Sequence, residues 1–310
     1  MKRREFLSTA AGATMAAMAP SHSFAGIAPA SGPFRGTLCL FSKHLPEMNW
    51  RELARATQGA GFAGVDLTVR AAGHVLPERA QEDLPKAVAA IREQGLEVPM
   101  ITTELTSASD PTAEPILRAA GELRIPYFKA GYYSYQYVDV RKEIAHAGAK
   151  LRGLADLARG HGVQCGYHNH EGLMGGPVWD FAPIIEAMDP QWAGYYFDIR
   201  HATAEGGAGG WKSATNLVMP RLKMIAIKDF YWGKTSKGWR TVNCPLGQGM
   251  VHWKYYFMAL ARDGYHGPVS LHLEYEIPGK TRAEREANTL AAAERDLAFL
   301  KAGLGEAYAG

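Results

Sequence analysis

The residues that could do chemistry in this chain sit at the ends of apolar runs. His168 and His170 close the run 163–168, and Asp198 and His201 close 193–198. Lys228 and Asp229 end the run from 222, and His272 and Glu274 end the run from 268. Asp66 and Lys129 belong to earlier runs, and Glu104 follows another. In an extended chain, residues two apart share a face. His168 and His170 therefore project together, as do His272 and Glu274. A lone polar residue at a strand end usually caps a helix or pairs with a neighbour. Charge at four consecutive strand ends is different, because buried charge persists when it binds a metal or a polar ligand. Imidazole with carboxylate suits Mn²⁺, Fe²⁺, Zn²⁺ or Co²⁺ rather than Ca²⁺. An ion held with open positions polarises a carbonyl and acidifies the adjacent C–H. His168 has the right intrinsic range to move that proton, and Lys228 can stabilise an enolate oxygen.

These residues need a frame. Strand-like runs are expected at 37–41, 64–68, 98–103, 126–131, 163–168, 193–198, 222–229 and 268–274. Helical spacing falls between and after them, at 48–60, 84–94, 113–123, 141–159, 181–188, 214–219, 253–262 and 282–300. Alternation of this kind puts parallel strands inside and helices outside. Eight repeats predict a single (β/α)₈ TIM barrel, whose active site lies at the C-terminal strand ends. An open doubly wound sheet would want a glycine-rich turn after its first strand, but Ser42-Lys43-His44-Leu45-Pro46 stands there.

The chain has 310 residues, 47% hydrophobic and 21% charged, with a formal net charge of +3. That composition excludes a disordered chain and a multi-span membrane protein, and the charge gives no sign of a nucleic-acid partner. Its three cysteines, Cys39, Cys165 and Cys244, have no CxxC spacing. Cys39 and Cys165 read as buried and reduced. Residues 1–25 combine Lys2-Arg3-Arg4, a short apolar run and Ser23-Phe24-Ala25. This is the pattern of a cleaved export signal, and Arg3-Arg4-Glu5-Phe6-Leu7 resembles a twin-arginine signal. The expected partner is the Tat export machinery and the expected place is the periplasm or outside the cell. Residues 26–35 read as a leader, 36–303 as the barrel and 304–310 as a tail. Tyr132, Tyr133, Tyr135 and Tyr137, with Trp211, Tyr231, Trp232 and Trp239, suit sugar rings or subunit packing. A homo-oligomer is thus left open.

At these residues the chain resembles the xylose isomerase-like barrel superfamily, the sugar phosphate isomerase/epimerase group. The strings that carry the resemblance are Gly64-Val65-Asp66-Leu67, Tyr167-His168-Asn169-His170, Asp198-Ile199-Arg200-His201, Ile227-Lys228-Asp229, Pro245-Leu246-Gly247-Gln248-Gly249 and Leu271-His272-Leu273-Glu274. The resemblance implies a divalent metal (Mn, Zn, Mg or Co) held by Glu, Asp, His and Glu after strands five to eight. Asp198 and Glu274 match two of these. His201 matches a substrate-contacting histidine. His168 stands where the family has its first Glu, and Ala226 where it has its His. The implied metal set is therefore His168, Asp198 and Glu274, with His272 or His170 in place of the lost histidine. The expected roles are His168, Glu274 and Lys228 in catalysis, and His170, His201, Lys129 and Asp66 at the substrate. The implied activity is isomerisation or epimerisation of a sugar or keto sugar by proton abstraction beside a carbonyl. A keto-sugar dehydratase or lyase, inosose dehydratase-like, is the alternative, and a non-catalytic periplasmic sugar-binding barrel comes third.

Overall fold

A computed structural model describes residues 32–310, so the expected export signal and most of the expected leader lie outside the described residues. Eight parallel strands close into a barrel in the order β1-β10-β7-β6-β5-β4-β3-β2. These are β1 (Leu38–Phe41), β2 (Gly64–Val69), β3 (Glu97–Thr103), β4 (Tyr127–Lys129), β5 (Gln164–His168), β6 (Ala193–Asp198), β7 (Leu222–Ile227) and β10 (Val269–Leu271). Every residue of β2 and β6 is buried, because one face meets the barrel interior and the other the helices. The interior is plugged by Met100, Tyr196, Met224 and Ala226. Gly166 makes room for this layer, since a Cβ there would run into the Met224 methyl.

The helical layer is α1 (Trp50–Gly59), α2 (Ala80–Arg92), α3 (Ala113–Glu122), α4 (Val140–Gly160), α5 (Ala182–Glu186), α6 (Ile199–Gly206), α7 (Gly210–Val218), α8 (Trp253–Arg262) and α9 (Arg282–Ala309). Asn49 and Glu52 form a reciprocal capping box on α1, and Thr281 and Glu284 do the same for α9. Cys39, Cys165 and Cys244 are free and buried.

Three expectations need correction. The seventh run stops at Ile227, and Asp229–Thr235 (β8) with Gly238–Cys244 (β9) forms an antiparallel hairpin outside the barrel. The helix expected at 214–219 is two, α6 directly after Asp198 and α7 beyond it. Residues 304–309 are not a tail. They continue α9, burying Leu304 and Tyr308 in line with Leu297 and Leu300, a spacing of three and four residues that keeps one helical face inward. The end of the leader also packs, with the rings of Phe34 and Tyr308 5.3 Å apart.

We expect Leu304→Ala to cost about 2–5 kcal/mol, the usual range for emptying a packed Leu site. Glu306→Ala, whose partner Lys254 is as exposed as itself, should stay within about 0.5 kcal/mol. Urea unfolding of the two variants checks this, and equal stabilities would contradict the packing of the last turns of α9.

Candidate active site

Asp198 ends β6 and is shut off from solvent. Its Oδ1 caps α6, accepting from the backbone N–H of Arg200 at 2.9 Å and of His201 at 3.3 Å. Its Oδ2 faces three groups: Lys228 Nζ at 3.2 Å, His168 Nε2 at 3.4 Å and His201 Nε2 at 3.6 Å. Burial pushes its pKa up, but Lys228 and then His201 outweigh that and hold it well below the ordinary carboxylate range. It is an anion at any physiological pH.

Glu274 lies beyond β10, with Oε1 3.7 Å from Lys228 Nζ, 3.2 Å from Lys43 Nζ and 3.6 Å from His272 Nδ1. Burial again raises its pKa, and Lys228, His272 and Lys43 overcome that, so this carboxyl is also held ionised. Lys228 thus stands between two carboxylates from different strands. His168 lines the same cavity, stacked on Tyr196 at 4.5 Å. Its Nδ1 shares a hydrogen bond of 2.8 Å with the Tyr132 hydroxyl. Burial lowers its pKa to about 3 despite Asp198, so it is neutral near pH 7.

The remaining expected residues divide. His170 lines the cavity and packs its ring 4.0 Å from that of His201. Lys129 lines it with its ammonium 3.5 Å above the Tyr132 ring. Asp66 does not line it. Its carboxylate accepts from Thr102 and Ser270 at 2.7 Å each and from Tyr196 at 3.3 Å, which makes it part of the floor rather than a substrate contact. His272 Nε2 joins that floor, 3.1 Å from Ser270 Oγ and 3.2 Å from the Tyr196 hydroxyl. Arg70 and Arg200 also shape the site and were not among the expected site residues, whereas Tyr132 is one of the four tyrosines expected at sugar rings or a subunit contact and lines the cavity. The glycine turn Pro245–Gly249 is structural: its N–H groups at Gly247 and Gly249 donate to Asp229 Oδ2 at 3.0 and 3.1 Å.

Comparison with known proteins places the chain and its fold in one group. The family model described as "Xylose isomerase-like TIM barrel" matches residues 54–302. The chain belongs to that family. No curated protein matches it. Among solved structures, an L-ribulose 3-epimerase aligns with TM-score 0.65 and 16% identity, over 88% of this chain and 95% of that one. A D-psicose 3-epimerase from Clostridium cellulolyticum H10, solved with D-tagatose, aligns with TM-score 0.65 and 14% identity, over 86% and 99%. A xylose isomerase-like protein from Mycobacterium smegmatis, solved with magnesium, aligns with TM-score 0.62 and 15% identity, over 87% and 98%. At such identities the likeness is one of fold.

Within this xylose isomerase-like barrel, one group of ligand atoms could hold a metal ion by distance: those of His168, Asp198 and His201 lie within 4.8 Å of one another. Glu274 and His272 are outside that group. The donor chemistry fits less well. Arg200 Nη1 donates to His201 Nδ1 at 2.9 Å, and a guanidinium can only donate. The proton of neutral His201 therefore sits on Nε2, the atom aimed at Asp198, where a metal ligand needs a lone pair. Arg200 is itself fixed by Glu171 at 2.6 Å and by Asn243 on the hairpin at 3.1 Å. Ala226 supplies no ligand from β7, and Lys228 brings positive charge to the one oxygen the group shares. These residues do not make a good divalent-ion site.

Burial lowers the Lys129 pKa from 10.5 to about 7. Between those values the unfolded chain holds a proton that the folded chain lacks, so stability rises with pH across the window. Lys129→Met should raise the melting temperature most at pH 6, with the gain shrinking as pH approaches 10. A gain that is flat with pH would contradict the buried, unpaired ammonium.

Proposed function

We propose that the protein is an exported isomerase or epimerase of keto sugars that moves a proton on and off the carbon beside a carbonyl, with Lys228 as the cation of the site. The observation that carries this reading is Lys228 Nζ lying 3.2 Å from Asp198 and 3.7 Å from Glu274, at the wall of the cavity that neutral His168 also lines.

A ketose carbonyl directed at Lys228 would build negative charge on its oxygen as the neighbouring C–H is broken. An ammonium already in place, in a site that excludes water, stabilises that charge without reorganisation. Glu274 is ionised and is the group to remove the proton. His168 is neutral at rest. Negative charge growing on the substrate favours its protonated form, and the Tyr132 hydroxyl orients its ring. Once it has taken a proton from solvent it can deliver that proton to the face of the enediolate opposite Glu274, and Glu274 then releases the substrate's proton to solvent. Return to the opposite face of the same carbon inverts it, and return to the adjacent carbon moves the carbonyl. The reaction class is supported by the 3-epimerases among similarly folded proteins. The basic start Lys2-Arg3-Arg4 supports export, with folded protein delivered to the periplasm or outside the cell.

Of ketopentoses, ketohexoses and their acidic counterparts incubated with the enzyme in D₂O, at least one should gain deuterium beside the carbonyl, read by NMR. Glu274→Gln and His168→Ala should each slow this by at least about 10²-fold, the scale of acid–base help, with little change in melting temperature. Full exchange in Glu274→Gln would sink the assignment. A product lighter by one water would instead identify an elimination that starts with the same proton abstraction.

A further inference from the structure

The cavity is lined by Lys43, Arg70, Lys129 and Lys228 against one carboxylate, Glu274. Lys228 and Lys43 are answered by Glu274, and Lys228 also by Asp198. The other two are not. Lys129 is only 2% exposed and makes no ion pair among the described residues. Its polar contact is a distant one, 3.5 Å to the Thr103 carbonyl. Arg70 meets only Glu104, at 3.5 Å, and that carboxylate is more than half exposed, so the pair is weak. The Arg70 Nε is buried with no hydrogen-bond partner. A buried ammonium without a counter-charge and a guanidinium edge without an acceptor both cost free energy. They lie on one side of the barrel, at the ends of β4 and β2, which flank β3. Lys228 and Glu274 follow β7 and β10, which are neighbours on the other side.

We infer that the Arg70–Lys129 side of this cavity binds an oxyanion carried by the substrate, so that the enzyme's substrates are acidic keto sugars rather than neutral ketoses. The inference rests on the sugar-converting reading given above and adds the substrate class to it. The guanidinium fork suits two oxygens of one anionic group, and the ammonium above the Tyr132 ring supplies the second charge. The bound anion would also restore the full positive charge of Lys129 that burial weakens. The carbonyl end of the sugar is left for Lys228, His168 and Glu274. A carboxylate and a phosphate monoester share this chemistry.

Isothermal titration of the whole protein with 5-keto-D-gluconate, D-fructose 6-phosphate and D-fructose tests the inference. At least one anion should bind about 10-fold or more tightly than fructose, the scale of a charge-assisted hydrogen bond, and whichever of the two wins identifies carboxylate or phosphate. Arg70→Gln should reduce that preference to under about 3-fold while the fructose affinity stays within about 2-fold. Arg70 is partly exposed, so this variant keeps the fold. Lys129→Met should lower anion affinity in the same direction. Fructose binding as tightly as both anions, no binding by either anion, or a preference intact in Arg70→Gln would each overturn the inference. Because the readout is binding, a failure of proton exchange with anion binding intact would count against the proposed reaction and not against the anion site.

Discussion

The mouth of this barrel is organised by a carboxylate that has no access to water. Stripping Asp198 of solvent is costly, and the cost is met only if every lone pair finds a donor or a cation. One oxygen takes the first N–H groups of α6. The other takes Lys228 and the His168 imidazole, with His201 Nε2 close by at 3.6 Å. Those two demands fix where α6 begins, where the Lys228 side chain ends and how His168 and His201 are turned. The same lysine then reaches Glu274, so one cation couples the ends of β6, β7 and β10. A side-chain cation cannot be lost to a chelator or exchanged for another ion. It also cannot offer the open coordination positions of a metal, so the substrate must be positioned by the walls of the cavity.

Those walls come partly from outside the barrel. Asn243, on the hairpin, accepts from Arg200 Nε and donates to the Glu274 carbonyl. Thr241 donates to Glu171, which in turn holds Arg200. Through Arg200 the hairpin decides which nitrogen of His201 carries the proton. The base of the hairpin is anchored by Asp229, which gathers the turn before α8 through Val251 N–H and the Trp253 indole as well as the two glycines. A device that looks peripheral in the chain thereby reaches the centre of the site.

The barrel, and which strand ends meet at its mouth, were legible because parallel strands are short, apolar and separated by helical periodicity. His168, Asp198, Lys228 and Glu274 all stood at the ends of such runs, and the fold converges them. The hairpin was not legible: residues 229–244 carry polar and aromatic side chains on exposed faces, without a buried alternation to mark strands. The end of α9 was hidden by Gly303 and Gly305, although Leu297, Leu300, Leu304 and Tyr308 keep the helical spacing. His272 was expected at a metal because period-two alternation pairs it with Glu274. The strand ends at Leu271, however, and His272 turns into the floor beside Ser270, stacked on Phe41 at 4.4 Å. Of the four tyrosines after β4, Tyr132 reaches His168, Tyr133 is buried and bonds the Thr106 carbonyl, and Tyr135 bonds Asp180. Nothing in their spacing distinguished these roles. Arg70 was missed because it directly follows an apolar strand and has no polar neighbour in sequence to mark it.

The central claim is that Lys228 is the cation on which the proton chemistry depends. Elemental analysis of the protein, purified without chelator or polyhistidine tag, tests it most directly when paired with the solvent-exchange rate before and after exhaustive chelation. No stoichiometric transition metal and an unchanged rate are expected. About one metal ion per chain, lost in Asp198→Ala, together with an exchange rate that collapses on chelation and returns with the ion, would contradict the claim.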